Sequence, residues 1–243
     1  MIEALAAVTV RVADLERAAR ACEVFFQCAP EVAGPARARF RLTNVALDLV
    51  RAPGAEGLSG LVFATDDLAA ARRTFERRGL PVAGDPPTID PGASHGVGIA
   101  LARTKVPSRP AAAFEGGGIE GLDHVVIRTP NVDRALALYG ARLGLDLRLD
   151  RSNPAFGTRL LFFRCGDTVV EIGADLAGPP GDGPDILSGL AWRTPDADAV
   201  HARMAAGGLD VSPVRPGRKP GTRVFTVRSG VPGAPSLVIG PTS

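Results

Sequence analysis

The feature that most constrains the fold is an internal repeat. The segment LSGLVFATDDLAAARRTFERRGLPV at 58–82 aligns without a gap with LSGLAWRTPDADAVHARMAAGGLDV at 187–211. The segment GTRLLFFRCG at 157–166 matches GTRVFTVRSG at 221–230, and HVVIRTP matches GLAWRTP. A chain that carries one unit several times must bury the same apolar surface several times. The repeats are therefore expected to pack against one another in pairs.

Each copy has the same order of elements. A short run rich in Val, Ile and Leu predicts a strand, and an Asp or Asn then caps a helix of about ten residues. The helix ends near a glycine, and three strand-like runs follow, separated by Gly and Pro. The expected caps are Asp14, Asp66 or Asp67, Asn131 and Asp196, and the expected terminal glycines are Gly79, Gly144, Gly207 and Gly208. The unit is βαβββ, it appears about four times, and the first copy is the weakest.

Four such units predict an α+β fold in which tandem βαβββ repeats form two half-open barrel domains. The stretch KVPSRPAAAFEGGGIEG at 105–121 is rich in Pro, Ala and Gly and lacks apolar periodicity. The domain boundary is therefore expected there. The predicted division is a degenerate N-terminal domain at 1–104, a linker at 105–118, and a C-terminal domain at 119–243 that carries the candidate site.

Composition argues against several classes of function. The formal net charge is +2 and the basic residues are scattered, so nucleic acid is not an expected partner. Three cysteines without a CxxC spacing fit a reducing compartment. The N-terminus lacks a basic signal region, and no apolar run approaches the roughly 20 residues that span a bilayer. We therefore expect a cytoplasmic protein with no membrane partner, and exposed sheet edges would allow a homodimer.

The chain resembles the vicinal oxygen chelate superfamily in three segments, which are LDHVVIRTPNVDRALALYGARLGLDL, LLFFRCGDTVVEIG and GLAWRTPDADAVHARMAAGGLDV. That superfamily includes glyoxalase I, bleomycin-resistance proteins, methylmalonyl-CoA epimerase and the extradiol dioxygenases. The resemblance covers nearly all of 118–243 and is weaker over 1–103. It implies glyoxalase-like domains, in which paired units form an incomplete barrel around a cavity. Some members pair the first unit with the fourth and the second with the third.

The resemblance also implies where metal ligands would lie, near the start of the first strand and in the last strand of each unit. In the third repeat these positions carry His124 and Glu171. The other repeats carry no complete pair, since their positions hold Ala7 and Asp48, Gly60 and Ala100, and Gly189 and Val238. The triad is thus incomplete, so a divalent metal (Zn, Fe, Mn or Ni) is expected to be absent or weakly bound. His95 and His201 could add a ligand, but neither lies at a family position.

Several basic residues are candidates for binding an anionic substrate. Side chains alternate along a strand, so His124 and Arg128 share one face. In the glyoxalase branch an arginine at the position of Arg128 contacts an anionic substrate, and Arg193 sits at the matching place in the fourth repeat. The turns DRSNPAFGTR and RPGRKPGTR either attract anions to a cavity rim or are polar hairpin loops. The predicted substrate-binding side chains are Arg128, Arg193, Lys219 and Arg223.

Two functions fit these residues. The first is an enzyme of lyase, isomerase or dioxygenase type that acts on a small carboxylate-bearing or oxygen-rich molecule, with His124 and Glu171 as its catalytic pair. The second is a non-catalytic protein that sequesters a small molecule, as bleomycin-resistance proteins do. The retained pair favours the first, and the loss at Gly189 and Val238 favours the second. That loss also argues against the iron chemistry of the extradiol dioxygenases. In both cases the expected ligand is a small anion.

Overall fold

The computed structural model describes residues 1–103, 118–229, 231–233 and 235–242. The first repeat contains β1 (Ile2–Val12), α1 (Leu15–Phe26), β2 (Val32–Ala33), β3 (Arg37–Arg41) and β4 (Ala46–Arg51). The second contains β5 (Gly57–Thr65), α2 (Leu68–Arg77), β6 (Val82–Ala83), β7 (Thr88–Ile89) and β8 (Gly98–Arg103).

The third and fourth repeats follow the same plan. The third contains β9 (Gly121–Arg128), α3 (Val132–Ala135) continued by a π-helix (Leu136–Arg142), β10 (Asp146–Asn153), a 3₁₀ turn (Pro154–Phe156), β11 (Thr158–Cys165) and β12 (Thr168–Asp175). The fourth contains β13 (Ile186–Arg193), α4 (Ala197–Ala206), β14 (Asp210–Val211), β15 (Arg215–Pro216), β16 (Thr222–Ser229) and β17 (Ser236–Pro241). The predicted α+β class and the four βαβββ units are confirmed.

The polar caps predicted for the four helices are confirmed. Asp14, Asp67, Asn131 and Asp196 each accept a hydrogen bond from a backbone N–H in the first turn of the helix that follows. Asp67, and not Asp66, caps α2. These bonds satisfy donors that a helix N-terminus leaves without an intrahelical partner. The first repeat departs from the pattern at its other end, where Gln27 takes the left-handed conformation (φ 53°) instead of a glycine.

The strand order is the same in each repeat, with the last strand beside the first. The orders are β2-β3-β4-β1, β6-β7-β8-β5, β10-β11-β12-β9 and β14-β16-β17-β13. The first and last strands run parallel in repeats two, three and four, whereas the other neighbouring strands of these repeats are antiparallel. In the first repeat, β3 is antiparallel to both β2 and β4. Parallel neighbours require a crossover, which the helix of each repeat supplies. Each repeat is thus an open half-sheet, as a half-open barrel requires.

The two faces of these half-sheets differ in burial. On β9, Val125 and Ile127 are fully buried, whereas the alternate residues His124 and Val126 are partly exposed. On β12 the same alternation buries Val170 and Ile172 and leaves Glu171 partly exposed. The buried positions belong to the face that packs under a helix. The other face is therefore the place where polar side chains can meet a ligand.

The chain divides into two compact units, each of which draws on both halves of the sequence. The inner-repeat unit comprises the described residues within Met1–Ala7, Ser59–Val106 and His124–Ser188, so it holds repeats two and three. The outer-repeat unit comprises those within Val8–Leu58, Pro107–Asp123 and Gly189–Ser243, so it holds repeats one and four. The boundary between a 1–104 and a 119–243 domain stays a prediction. The expected linker, 105–118, lies outside the described residues except for Gly118.

Aromatic side chains form the core of the outer-repeat unit. The fully buried Trp192 of β13 meets Phe25 and Phe26 of α1 edge to face, with ring centroids 6.0 and 5.1 Å apart. Phe26 in turn packs on Phe40 of β3 at 5.8 Å. Arg203 of α4 donates to two carbonyls near the end of α1, those of Val24 and Phe25. The first and fourth repeats are thereby joined by apolar contact and by capping of a helix C-terminus.

Arginines also join the repeats of the inner-repeat unit. Arg142, at the end of the π-helix, donates to the carbonyls of Arg78 and Gly79 at the end of α2. Arg78 returns a hydrogen bond to the carbonyl of Arg142 at 3.1 Å. Each helix end thus supplies a donor for the otherwise unsatisfied carbonyls of the other. Among the described residues, no helix combines the length and apolarity of a membrane span.

Truncating Trp192 tests the aromatic core. We expect Trp192→Ala to lower the free energy of unfolding by about 3–5 kcal/mol, because a fully buried indole leaves a large cavity. Phe156→Ala is the matched control, since Phe156 is 66% exposed and its loss should change stability by less than about 0.5 kcal/mol. Urea denaturation followed by circular dichroism measures both. Equal effects of the two substitutions would contradict the assignment of Trp192 to the core.

Candidate active site

The structure brings His124 and Glu171 together on the open face of the third repeat. His124 lies on β9 and Glu171 on β12, and the parallel register pairs His124 with Val169 and Glu171 with Val126. The two side chains are therefore diagonal neighbours across the strand pair. Their Nε2 and Oε2 atoms are 3.6 Å apart, and the side chains are 20% and 19% exposed. Both polar atoms are thus partly shielded from water yet reachable from one side.

The surface around this pair is apolar. Phe162 of β11 lies directly across from Glu171, and Leu160 lies across from Gly173. A Cβ at Gly173 would stand 3.4 Å from Leu160, so the glycine lets the neighbouring leucine lie close to the strand. Val126 occupies the same face between His124 and Arg128. An apolar floor with two ionisable groups at its centre is typical of small-molecule sites.

Two cavities of the protein are lined by other residues. One cavity, of about 400 Å³, lies in the outer-repeat unit beside the start of α1. The other, of about 510 Å³, is lined by residues of the 81–91 segment. Neither is lined by His124 or Glu171.

Arg128 lies on the predicted face but at the end of its strand. Its Nη2 donates to both carboxylate oxygens of Asp175, at 3.0 and 3.2 Å, and its side chain is 59% exposed. Four residues of strand separate it from His124, roughly 13 Å at about 3.3 Å per residue. Arg128 therefore does not pair with Glu171, and it stands at the edge of the face with a carboxylate partner of its own.

The other predicted substrate-binding residues belong to the outer-repeat unit. Arg193 is partly buried, and its Nε lies 3.3 Å from Asp123 Oδ1. Arg223 donates to Asp198 of α4 at 2.7 Å, on the side of β16 where Phe225 is buried beneath that helix. Lys219 is exposed in the turn before β16, where its carbonyl accepts a hydrogen bond from Thr222. The structure thus places Arg223 on the helix-covered side and away from the open face.

The strand register corrects one predicted position of the fourth repeat. His124 corresponds to Gly189, so Val126 corresponds to Ala191. Glu171 pairs with Val126, whereas the residue that pairs with Ala191 is Leu237. The position equivalent to Glu171 is therefore Leu237, and the prediction of Val238 is wrong by one residue. Alternation gives the physical reason, because Val238 is fully buried on the helix side of β17.

Comparison with known proteins identifies a family for part of the chain. The family model described as the Glyoxalase/Bleomycin resistance protein/Dioxygenase superfamily matches residues 123–226. This segment of the chain therefore belongs to that superfamily, the vicinal oxygen chelate superfamily. The matched segment includes His124, Glu171 and all of the third repeat except the first two residues of β9. No curated protein matches the sequence at a significant level.

Solved structures of vicinal oxygen chelate proteins share the fold over the whole chain. A triple mutant of 4-hydroxymandelate synthase from Streptomyces coelicolor superposes with a TM-score of 0.75 at 15% identity, covering 100% of this chain and 94% of that one. The 2,2',3-trihydroxybiphenyl 1,2-dioxygenase of Sphingomonas wittichii gives 0.72 at 17% identity, covering 99% and 91%. The Mn(II)-bound glyoxalase of Novosphingobium aromaticivorans gives 0.69 at 19% identity, covering 100% and 83%. At these identities the similarity establishes the fold.

The donor set of this site fits a divalent metal in spacing but not in number. Metal–ligand bonds near 2.0–2.2 Å place two ligands of one ion roughly 3–3.5 Å apart, close to the separation of His124 Nε2 and Glu171 Oε2. Protein metal sites usually need three or four ligands. Among the described residues, no group of three His, Cys, Asp or Glu side chains could hold an ion. Among the described residues, the pair alone is therefore short of a full set of metal ligands.

Neither remaining histidine completes the set. His201 lies on α4, where its ring contacts Phe225 edge to face at 5.2 Å. His95 takes a left-handed backbone conformation (φ 55°) in the turn before β8. Burial and the nearby positive charge of Arg134 lower the pKa of His95. Each histidine thus has a local environment of its own, apart from the His124–Glu171 pair.

In the first repeat, a carboxylate occupies the place of Glu171, but its partners differ. Asp48 is 2% exposed, and both of its oxygens accept hydrogen bonds from Arg39 at 2.7 Å. Arg37 adds a third bond at 2.6 Å. Burial alone would raise the pKa of Asp48, but the hydrogen bonds from Arg39 and Arg37 outweigh it and lower that pKa. In the sequence, this cluster is indicated by the alternating arginines of RARFR and the aspartate of ALDLV. The prediction of a metal site does not take these arginines into account.

Acid titration tests the Asp48 cluster. We expect Asp48→Asn to lower the free energy of unfolding at neutral pH by about 1.5–3 kcal/mol, through loss of hydrogen bonds between charged groups. Because the pKa of Asp48 is lowered on folding, its stabilisation is present above the ordinary value of 3.8 and is lost as the pH falls through the folded pKa.

Urea denaturation of both proteins across that range measures the effect. The difference between wild type and Asp48→Asn should shrink below pH 3.8. A difference that grows on acidification would contradict the assignment. The exposed Asp146→Asn is a suitable control, since it removes a carboxylate that is 59% exposed.

Proposed function

We propose that the protein is an enzyme that transfers a proton on a small, oxygen-rich or carboxylate-bearing molecule, in a reaction of isomerase or lyase type. The observation that carries this proposal is the His124–Glu171 pair, two partly buried groups 3.6 Å apart on an apolar open face. Proton transfer needs only an acid and a base within reach of the substrate. It therefore suits a pair that does not amount to a complete metal site.

Glu171 and His124 would have different roles in the reaction because their chemistry differs. An ionised carboxylate only accepts hydrogen bonds, so Glu171 would take a proton from a carbon next to a carbonyl group. The imidazole of His124 can donate to the substrate oxygen on which negative charge develops. Phe162 and Val126 would cover the apolar part of the substrate and exclude water, which strengthens both interactions. A distance of 3.6 Å leaves room for the pair to tighten on a bound molecule.

Arg128 would hold the acidic end of the substrate. A guanidinium offers two parallel donors to a carboxylate, and Arg128 already binds Asp175 through both carboxylate oxygens. A substrate carboxylate would replace Asp175 at the edge of the face. The Cα atoms of Arg128 and His124 are roughly 13 Å apart along the strand, so the arginine side chain would have to turn back along the face to hold a small substrate beside His124. We expect the location to be the cytoplasm, and a homodimer stays a prediction.

A second function, non-catalytic binding of a small molecule, is favoured by a specific observation. The fourth repeat has Gly189 and Leu237 at the positions of His124 and Glu171, so it offers no ionisable side chain there. A protein that only sequesters a ligand needs an apolar face and a few polar contacts, not a full catalytic set. Under this alternative His124 and Glu171 would orient the ligand without exchanging its protons.

Hydrogen–deuterium exchange distinguishes the two functions. A panel of small 2-oxo acids in deuterated water, followed by proton NMR, would reveal removal of a carbon-bound proton before any product is known. We expect exchange with wild type and a loss of about 10²–10⁴-fold in Glu171→Gln, the usual contribution of a general base. Glu76→Gln on α2 is the control, since Glu76 is half exposed and its loss removes the same charge.

The same panel can also give two results that contradict the proposed proton transfer by Glu171. Ligand-induced chemical shifts without exchange would support the binding function. Exchange that survives in Glu171→Gln would contradict the assignment of Glu171 as the base.

Metal content tests the incomplete metal site. Protein purified without chelator should contain less than one divalent ion per chain by elemental analysis, because two protein ligands leave most of the coordination to water. His124→Ala should lower the content further, whereas His201→Ala should not. Stoichiometric metal in wild type that is lost in His124→Ala would show that a third ligand exists, and it would overturn the metal-free proposal.

A further inference from the structure

The open face of the first repeat carries arginines at the positions where the third repeat carries apolar residues. Arg39 pairs with Asp48 across β3 and β4, as Phe162 pairs with Glu171 across β11 and β12. One strand step away, Arg37 stands opposite Val50 in the place of Leu160 opposite Gly173. The intervening residues Ala38 and Phe40 are buried on the α1 side. The same scaffold face is therefore basic in the first repeat and apolar in the third.

The cluster has more positive charge than its internal partner can balance. Asp48 is buried, and one bidentate contact from Arg39 already satisfies both of its oxygens. Arg37 adds a second guanidinium to the same carboxylate, which leaves the group of three with a net charge of +1. One arginine is enough to balance the single negative charge of Asp48. Asp48 therefore does not require the second arginine to satisfy its two oxygens.

The two guanidiniums also keep donors that can reach a ligand. Arg37 is 49% exposed and Arg39 29% exposed. Within the described part of the chain, the side chain of Arg37 hydrogen-bonds through Nη2 alone, so its Nε and Nη1 face solvent or a ligand. The buried carboxylate fixes both guanidiniums in place, which lowers the entropy lost on binding. Arg41, next along the strand, is held by Glu31 and is not part of the site.

We propose that Arg37 and Arg39, oriented by Asp48, form a binding site for a small oxyanion, a phosphate or a carboxylate, on the open face of the first repeat. Arginine is the side chain best suited to such anions, because its planar fork matches two oxygens at once. The site lies in the outer-repeat unit, and the His124–Glu171 pair lies in the inner-repeat unit. It is therefore a second ligand site that does not depend on the proposed reaction.

Calorimetric titration of the full chain with inorganic phosphate, and separately with succinate, tests this site. We expect Arg37→Gln to weaken binding of the anion about tenfold, the loss of one charge-assisted hydrogen bond. Arg20→Gln on α1 is the matched control, since it removes the same charge from an exposed position and should leave the affinity unchanged. Glu171→Gln should also leave it unchanged, which separates this site from that of the proposed function.

Each outcome bears on the proposal. Binding of phosphate alone identifies a phosphate-bearing ligand, and binding of succinate alone identifies a carboxylate-bearing one; both support the site. Binding of neither anion, or binding that Arg37→Gln does not weaken, overturns it. If Arg37→Gln fails to fold by circular dichroism, Arg37→Lys keeps the ion pair and decides by the same titration. Weaker binding by the lysine variant supports the proposal, and unchanged binding overturns it.

Discussion

Alternation of side chains along each strand is the constraint on which the rest of this structure depends. A βαβββ repeat has one helix, so only one face of its half-sheet can be covered, and every second residue must be apolar to lie beneath that helix. Val125, Ile127, Val170 and Ile172 meet that requirement in the third repeat. The residues between them lie on the uncovered face and need not be apolar. His124 and Glu171 occupy two positions on that uncovered face, and therefore they can be ionisable without placing a charge in the apolar core.

The positions on the uncovered face carry different types of side chain in different repeats. A carboxylate is present at equivalent points in the first and third repeats, as Asp48 and Glu171. The side chains around this carboxylate differ between the two repeats. Two arginines lower the pKa of Asp48 and keep it ionised at neutral pH, whereas Glu171 lies between a histidine and a phenylalanine. In the fourth repeat the two equivalent positions hold Gly189 and Leu237, neither of which is ionisable. Duplication therefore kept the scaffold and changed the environment around one acidic position.

Local signals in the sequence predicted the local parts of this arrangement. Asp14, Asp67, Asn131 and Asp196 were recognisable as caps because a helix N-terminus needs an oxygen within a few residues. The meeting of His124 with Glu171 followed from the family resemblance. Contacts between distant segments were not predictable in this way. Asp175, the partner of Arg128, is 47 residues away in sequence. The choice of Leu237 over Val238 depends on a strand register that turn composition alone does not fix.

The division of the chain into an inner-repeat and an outer-repeat unit has a consequence for how the protein folds. Repeats two and three follow one another, so most of the inner-repeat unit can assemble as soon as the third repeat has been synthesised. The first repeat must wait for the fourth, and its Phe25 and Phe26 stay without Trp192 until more than half of the chain has followed them. Contacts of such high sequence separation raise the contact order and slow folding. During that interval α1 exposes aromatic surface, and such surface makes a partly folded chain prone to aggregation.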